Sequence, residues 1–328
     1  IARKQRAKEN TSVLALNLVS RAKDTFAVGL HQGTVAFFDV SEFTITPSKK
    51  YVCRDGSTSI DTNLLDESTD NEDEVLVGSV RSLDFNYDTN EILVGTSLNH
   101  LYIIDVPKSE SSKSLAQLKC KTVVGSHWGN LKSSTQYGEI WGIDAHPHEQ
   151  WVYSTSEDGT ARLWDLGNNR ELRRISLGHS CLCVNVNLDA TLVAVGHMNG
   201  SFTVCDGGLT KIVIPNIRNR RRRVRVVRFS PNGQYLAVGS EMAVDVYHIE
   251  KAIEKVEVDE PGAAATTNTA SGKFNPTLKT APKAPGKRIE ARVTYTAVQL
   301  GSCLAHTSIV RQLDWNLASN VLQTTSMA

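Results

Sequence analysis

The 328-residue sequence has no apolar run approaching the roughly 18 residues that a bilayer-spanning helix needs, and its first ten residues, IARKQRAKEN, are basic and polar rather than signal-like, so no membrane partner is expected. Its six cysteines, Cys53, Cys120, Cys181, Cys183, Cys205 and Cys303, form no Cys-x-x-Cys pair and fall short of the density of a disulfide scaffold, so reduced intracellular thiols are the expectation. Cys181 and Cys183 have the period-two spacing of a strand, which points to packing before metal, because zinc sites usually bring two closely spaced ligand pairs. The net charge is only +1, so nothing global steers the chain to nucleic acid or to a bilayer surface. Long helical periods are scarce and glycines number 22, a combination that reads as all-β. The sequence does not begin with Met, which suggests a piece of a longer chain.

Catalytic patterns are also missing. No Ser/His/Asp order, phosphate-binding Gly loop or paired-carboxylate string stands out. His146 and His148 share one turn, yet no third ligand is spaced to join them. No enzyme activity, cofactor or metal is therefore expected.

What is present is repetition. From Gly138 the sequence reads GEIWGIDAHPHEQWVYSTSEDGTARLWDL: three short strand-like runs at hairpin spacing, ending at Trp164-Asp165. Asp158-Gly159 supplies the positive backbone torsion that a tight turn between antiparallel strands requires. The same order of parts recurs at Val13–Asp39, Val80–Asp105, Leu182–Asp206 and Val224–His248, and a sixth unit, Ile309–Ala328, holds two of the three runs. Units ending at 165, 206 and 248 are 41 and 42 residues apart. An outer fourth strand is expected after each complete unit, over 43–53, 116–124, 171–177, 209–214 and 293–300. Two half-blade edges left unpaired would be a liability for a closed ring, a further reason to expect a fragment.

A period of about 40–45 residues with a Trp-Asp ending resembles the blades of WD40 β-propellers. The resemblance implies an all-β propeller over 1–328, with five complete blades and half of a sixth, part of a larger or tandem propeller. It also implies insertions at 54–78, 107–138 and 251–292, the last partly disordered. Divergent endings, such as Phe38-Asp39 or Cys205-Asp206, are tolerable where the position needs an apolar side chain and a strand that stops. In the best unit Ser154, Asp158 and Trp164, with Asp165 closing the strand, take the places where that family has a buried hydrogen-bonded network. Its histidine would come from a preceding Gly-His. His127 of Gly-Ser-His lies too far upstream to fill that place, so the network reads as incomplete, and His179 faces Asn199 rather than Asp in its matching turn.

The connections carry the local charge. Residues 54–74 are acidic and Ser/Thr-rich, with too little apolar surface to offset the entropy of ordering. Trp128 sits on a long connection, where it either packs on the rim or anchors a partner. Between Lys211 and Arg228 stand eight positive charges and no negative one: Lys211, Arg218, Arg220, Arg221, Arg222, Arg223, Arg225 and Arg228. Such a run attracts acidic protein tails, RNA or anionic lipid headgroups; pairing with the acidic loop, or plain solvation, is the competing reading. Ile249–Glu260 suggests a short helix, and the low-complexity stretch after it spaces Lys273, Lys279, Lys283 and Lys287 with Pro, Ala and Thr, similar to basic arms that lie on acidic polymers.

More specific strings follow the order of these parts: Glu139-Ile140-Trp141-Gly142 with His146-Pro147, and His306-Thr307-Ser308 with Leu313-Asp314-Trp315. With Val94–Asn99, Leu192–His197 and Tyr235–Ser240 they resemble the echinoderm microtubule-associated protein-like family, in the second of its two tandem propellers. That resemblance implies a non-catalytic scaffold binding tubulin, microtubules and other cytoskeletal proteins in the cytoplasm and cytoskeleton, a ciliary or flagellar axoneme included. Oligomerisation, if any, would use segments outside this fragment. The basic run and the 251–292 insertion are not typical of the family, and a WD40 module binding RNA or ribonucleoprotein through the same arginines, or a general peptide adaptor, is the alternative.

Overall fold

The computed structural model describes residues 15–20, 25–29, 34–41, 44–52, 79–86, 89–105, 120–122, 127, 138–218, 222–259 and 287–326, and none of these is helical. Five four-stranded antiparallel sheets and one two-stranded sheet follow one another along the chain. The first is β1 (Ala15–Ser20), β2 (Thr25–Gly29), β3 (Thr34–Ser41) and β4 (Thr44–Val52); the second is β5 (Val80–Asn86), β6 (Glu91–Thr96), β7 (Leu101–Asp105) and β8 (Cys120–Thr122). The third is β9 (Ile140–Ala145), β10 (Trp151–Ser156), β11 (Thr160–Asp165) and β12 (Arg170–Ser176). The fourth is β13 (Cys181–Val186), β14 (Leu192–His197), β15 (Ser201–Asp206) and β16 (Ile212–Arg218). The fifth is β17 (Val224–Phe229), β18 (Tyr235–Ser240), β19 (Ala243–Asp259) and β20 (Lys287–Cys303), and β21 (Val310–Trp315) pairs with β22 (Leu322–Ser326). These are WD40-type propeller blades: each is a meander, and the inner strands β1, β5, β9, β13, β17 and β21 pack side by side in chain order.

The core lies between blades. Leu93, Leu101 and Ile103 of the second blade pack with Ile140, Ile143, Val152 and Trp164 of the third. Tyr153, Ala161 and Leu163 on the third blade meet Cys181, Val184, Val193, Val195 and Cys205 of the fourth. A middle sheet is therefore covered on both faces, which is why β14 is buried at every position, Leu192 to His197, and reads as an apolar run without alternation. Each such side chain contributes about 1.5–3 kcal/mol relative to exposure.

A second seam is polar and uses the fifth residue of the inner strands β5, β9, β13 and β17. Asp84 Oδ2 accepts the amide hydrogen of Ala145 at 2.5 Å. Asp144 Oδ2 accepts those of Val186 (2.6 Å) and the Asn185 side chain (3.0 Å), and Asn185 Oδ1 accepts that of Phe229 (2.7 Å). The Trp315 indole N–H closes the series on the Arg228 carbonyl at 3.2 Å. From the second blade to the sixth, successive blades are thus tied by a hydrogen bond between inner strands.

The chain divides into two compact units: Ile1–Ile249 with Ala297–Ala328, which holds the blades, and Glu250–Thr296, which takes in the second half of β19 and the first half of β20. The helix suggested for Ile249–Glu260 is corrected: β19 runs on as a strand through Asp259. Ile249, Ile253, Val256 and Val258 are β-branched and suit a strand, and pairing with β20 supplies backbone partners that an isolated helix of this length cannot rival. The fourth blade's outer strand also begins later than the sequence suggests, at Ile212, because Leu209 turns with φ +50° and is buried in the core cluster of the third and fourth blades.

Candidate functional site

The end of the blades at which the inner strands begin carries a repeated bulge. In β5 the pairing passes from Val80 to Ser82, in β9 from Ile140 to Gly142, in β13 from Cys181 to Cys183, in β17 from Val224 to Val226 and in β21 from Val310 to Gln312. The skipped residues, Arg81, Trp141, Leu182, Arg225 and Arg311, leave the ladder, and a bulge is a common way to re-aim a side chain. Arg81 finds a complete partner there. Its Nε and Nη2 donate to the two oxygens of Glu139 at 2.7 and 3.3 Å, and its guanidinium lies 4.8 Å over the Trp141 ring, whose N–H in turn reaches Glu157.

Around the fifth blade the same end is basic. Arg218 is exposed at the end of β16, opposite Ser201. Arg222 and Arg223 are exposed just before β17, and Arg222 reaches the Met242 sulfur. Arg225 is half-buried, with Nη2 3.9 Å from a Glu241 oxygen and a buried Nε that has no hydrogen-bond partner. Burial, then the nearby Arg223 and Arg311 charges, holds the Arg225 guanidinium below the usual arginine range. Arg228, the last of the run, leaves this surface: four residues into β17, it places Nη1 3.7 Å from Asp144 Oδ1. One stretch of sequence thus serves a surface cluster and an ion pair with the third blade. Arg220, Arg221, Trp128, Lys273, Lys279 and Lys283 lie outside the described residues, and Lys287 opens β20.

The buried network of the third blade is complete, which corrects the reading of His127 as too distant. Trp164 Nε1 donates to Ser154 Oγ at 2.7 Å, and Ser154 Oγ stands 2.6 Å from His127 Nε2. His127 Nδ1 is 3.1 Å from Asp158 Oδ2. An ionised carboxylate only accepts, so the imidazole proton sits on Nδ1, facing Asp158, and in the neutral ring Nε2 accepts the serine hydrogen. Burial keeps the His127 imidazole below its usual range, and hence neutral. Burial alone would raise Asp158, but hydrogen bonds from His127 and Thr160 outweigh it and hold the carboxyl low. Two members were not foreseen. Arg162, almost fully buried, donates to Asp158 at 3.0 Å and Glu171 at 3.1 Å, and Thr160 caps the Asp158 turn at 2.8 Å. A buried strand arginine opposite a turn aspartate was the available signal. Asp165 accepts from the Asn168 amide and side chain, closing its own turn.

In the fourth blade Asn199 keeps the turn by accepting from Ser201, while His197 replaces the missing network with Thr203 at 2.9 Å. His146 accepts backbone hydrogens from His148 and Glu149, so its ring is engaged in its turn. No group of three His, Cys, Asp or Glu suited to a metal occurs among the described residues.

This frame has relatives. Human echinoderm microtubule-associated protein-like 3 is 24% identical over 237 residues, covering 72% of this chain and 20% of that protein. The rat protein-like 2 is 23% identical over 189 residues, 57% of this chain and 23% of the relative. The 77 kDa echinoderm microtubule-associated protein of Lytechinus variegatus is 20% identical over the same length. The curated homologues are echinoderm microtubule-associated protein-like proteins. The chain spans about a fifth of the length of these relatives. A family model described as "Nup133 N terminal like" also matches residues 75–180, a range that takes in the described strands β5 to β12. Echinoderm microtubule-associated protein-like relatives and the propeller-blade architecture thus converge on the chain that carries the basic end.

Proposed function

We propose that the chain is a non-catalytic binding module that associates with microtubules in the cytoplasm and cytoskeleton, the axoneme of a cilium or flagellum among its settings. The observation that carries this reading is the match, across 72% of the chain, to proteins named for microtubule association. The blades supply a rigid frame, and Arg218, Arg222, Arg223 and Arg225, with the neighbouring Arg220 and Arg221, supply positive charge to acidic tubulin surfaces. Lys273, Lys279, Lys283 and Lys287 add to that charge, and Trp128 is a candidate anchor. Charge-led binding of this kind weakens steeply with salt.

Co-sedimentation with polymerised tubulin tests it. The chain is expected to pellet with microtubules at low salt and to be released as salt rises, and replacement of Arg220 to Arg223 by Glu is expected to weaken pelleting several-fold. Failure of the unmodified chain to pellet above its own background would end the proposal; unchanged pelleting and salt dependence in the Glu variant would remove the arginines from it.

A further inference from the structure

The repeats allow one blade to be read against another. Arg81 and Arg225 are the same bulge position in β5 and β17, each skipped between a buried valine and the residue opposite a glycine. In the second blade the residue that precedes the next inner strand is Glu139, and it neutralises Arg81 through two hydrogen bonds. The equivalent residue before β21 is Ile309, fixed beside the turn by its bridge to Glu241, and the bulge residue after it is Arg311 where the third blade has Trp141. At these equivalent positions the fifth blade's arginine therefore has an alkyl residue and a second arginine, whose charge acts on Arg225, where Arg81 has a carboxylate and an indole. The Arg225 Nε is buried and has no hydrogen-bond partner, and Glu241 approaches only its Nη2, at 3.9 Å.

We infer that Arg223, Arg225 and Arg311 form a carboxylate-binding cradle that takes a glutamate or aspartate side chain of an acidic peptide into the place that Glu139 fills in the second blade. Guanidinium forks match a carboxylate in two parallel hydrogen bonds, and the Arg81–Glu139 pair shows the geometry this bulge presents. The described residues around the cradle, Arg222, Arg223, Glu241, Met242, Ile309 and Arg311, include no aromatic ring on which a nucleobase would stack, which favours a peptide over single-stranded RNA. The inference deepens the microtubule reading by naming the partner chemistry, and stands or falls on a different measurement.

That measurement is fluorescence anisotropy of a labelled octaglutamate peptide against the full chain, with octaglutamine and an RNA homopolymer as competitors. The unmodified chain is expected to bind octaglutamate and not octaglutamine. Arg225→Gln and Arg311→Gln are each expected to lose about tenfold in affinity, and Arg173→Gln, on the exposed outer strand of the third blade, to lose nothing. Ile309→Glu leaves every arginine in place but restores the internal partner, and is expected to abolish peptide binding while the melting curve stays cooperative. Full binding by Ile309→Glu, or by both arginine variants, would overturn the cradle; so would displacement of the peptide by RNA with an affinity that the same variants abolish. A chain that binds octaglutamate through these residues yet fails to pellet with microtubules would keep the cradle and lose the functional reading, and the converse result would do the reverse.

Discussion

The Arg228 guanidinium stands 3.7 Å from the Asp144 carboxylate, and the two are also linked through the relay, since Asn185 donates to Asp144 and accepts from Phe229. Burial and the Asp84 carboxyl push Asp144 up, Arg228 and its hydrogen bonds pull back, and the net is about 8. An unfolded aspartate ionises near 3.8. Between those values the folded chain holds a proton that the unfolded chain has lost, so this group makes stability fall as pH rises from about 4 to 8.

Asp144→Asn keeps the acceptor for Val186, as Asn185 does for Phe229, and removes the repulsion from Asp84. Urea unfolding at pH 8.5 is expected to show the variant more stable than the parent by on the order of 1–3 kcal/mol, with the gap closing at pH 5. Arg228→Met should act in the opposite direction, most strongly at pH 8.5. A constant gap across pH would rule out the ionisation as its source.

Ser154 is the centre of the buried network, accepting from Trp164 and donating to His127. Ser154→Ala strands both nitrogens, at a cost of about 2–4 kcal/mol. Urea midpoints measure the loss, and a shift below 0.5 kcal/mol on this scale would mean that water replaces the hydroxyl.

Asp158 behaves oppositely to Asp144. Its carboxyl is held low in the fold, so it stabilises above its unfolded value near 3.8, and that stability is lost as pH falls through the folded value. Asp158→Asn is expected to unfold more readily than the parent at pH 7 and to approach it near pH 3, followed by circular dichroism. Equal destabilisation at both pH values would assign the effect to packing alone.

Much of this was legible in the sequence. Trp164-Asp165, Ile104-Asp105 and Cys205-Asp206 mark where third strands end, whereas β3 runs on to Ser41 and β19 to Asp259, and Gly159 has the positive φ, +78°, that its turn demands. What escaped depends on long-range partners. Ile249–Glu260 carries Glu and Lys at helical spacing, and only β20 decides for strand. His127 looked too remote because sequence distance says little about a residue delivered from a long connection to Ser154 and Asp158. Arg311 gave no sign of its place beside Arg225, since a bulge in β21 and a bridge from Ile309 to Glu241 bring it there. The arginine run likewise divides because strand position, not composition, sends Arg228 to Asp144.

One pair reports the register itself. Opposite the bulge, Gly95 faces Ser82, Gly196 faces Cys183 and Gly239 faces Val226, but in the third blade the glycine changes sides, Gly142 facing Thr155. A Cβ on Gly142 would strike Thr155 Oγ1 and come within 2.9 Å of the Cys183 Cα and the Val184 nitrogen. Gly142→Ala is therefore expected to cost about 1–3 kcal/mol by overpacking, and Thr155→Gly to cost about 1 kcal/mol or more through lost contacts and added chain freedom. Combined, they restore the arrangement of the second, fourth and fifth blades at this pair, so the double variant should lose less than the two single losses together, by at least about 1 kcal/mol. The Cys183 backbone keeps the rescue partial. Strict additivity in urea unfolding would mean that the two residues do not compete for one space, and that the third blade's reversed glycine has another cause.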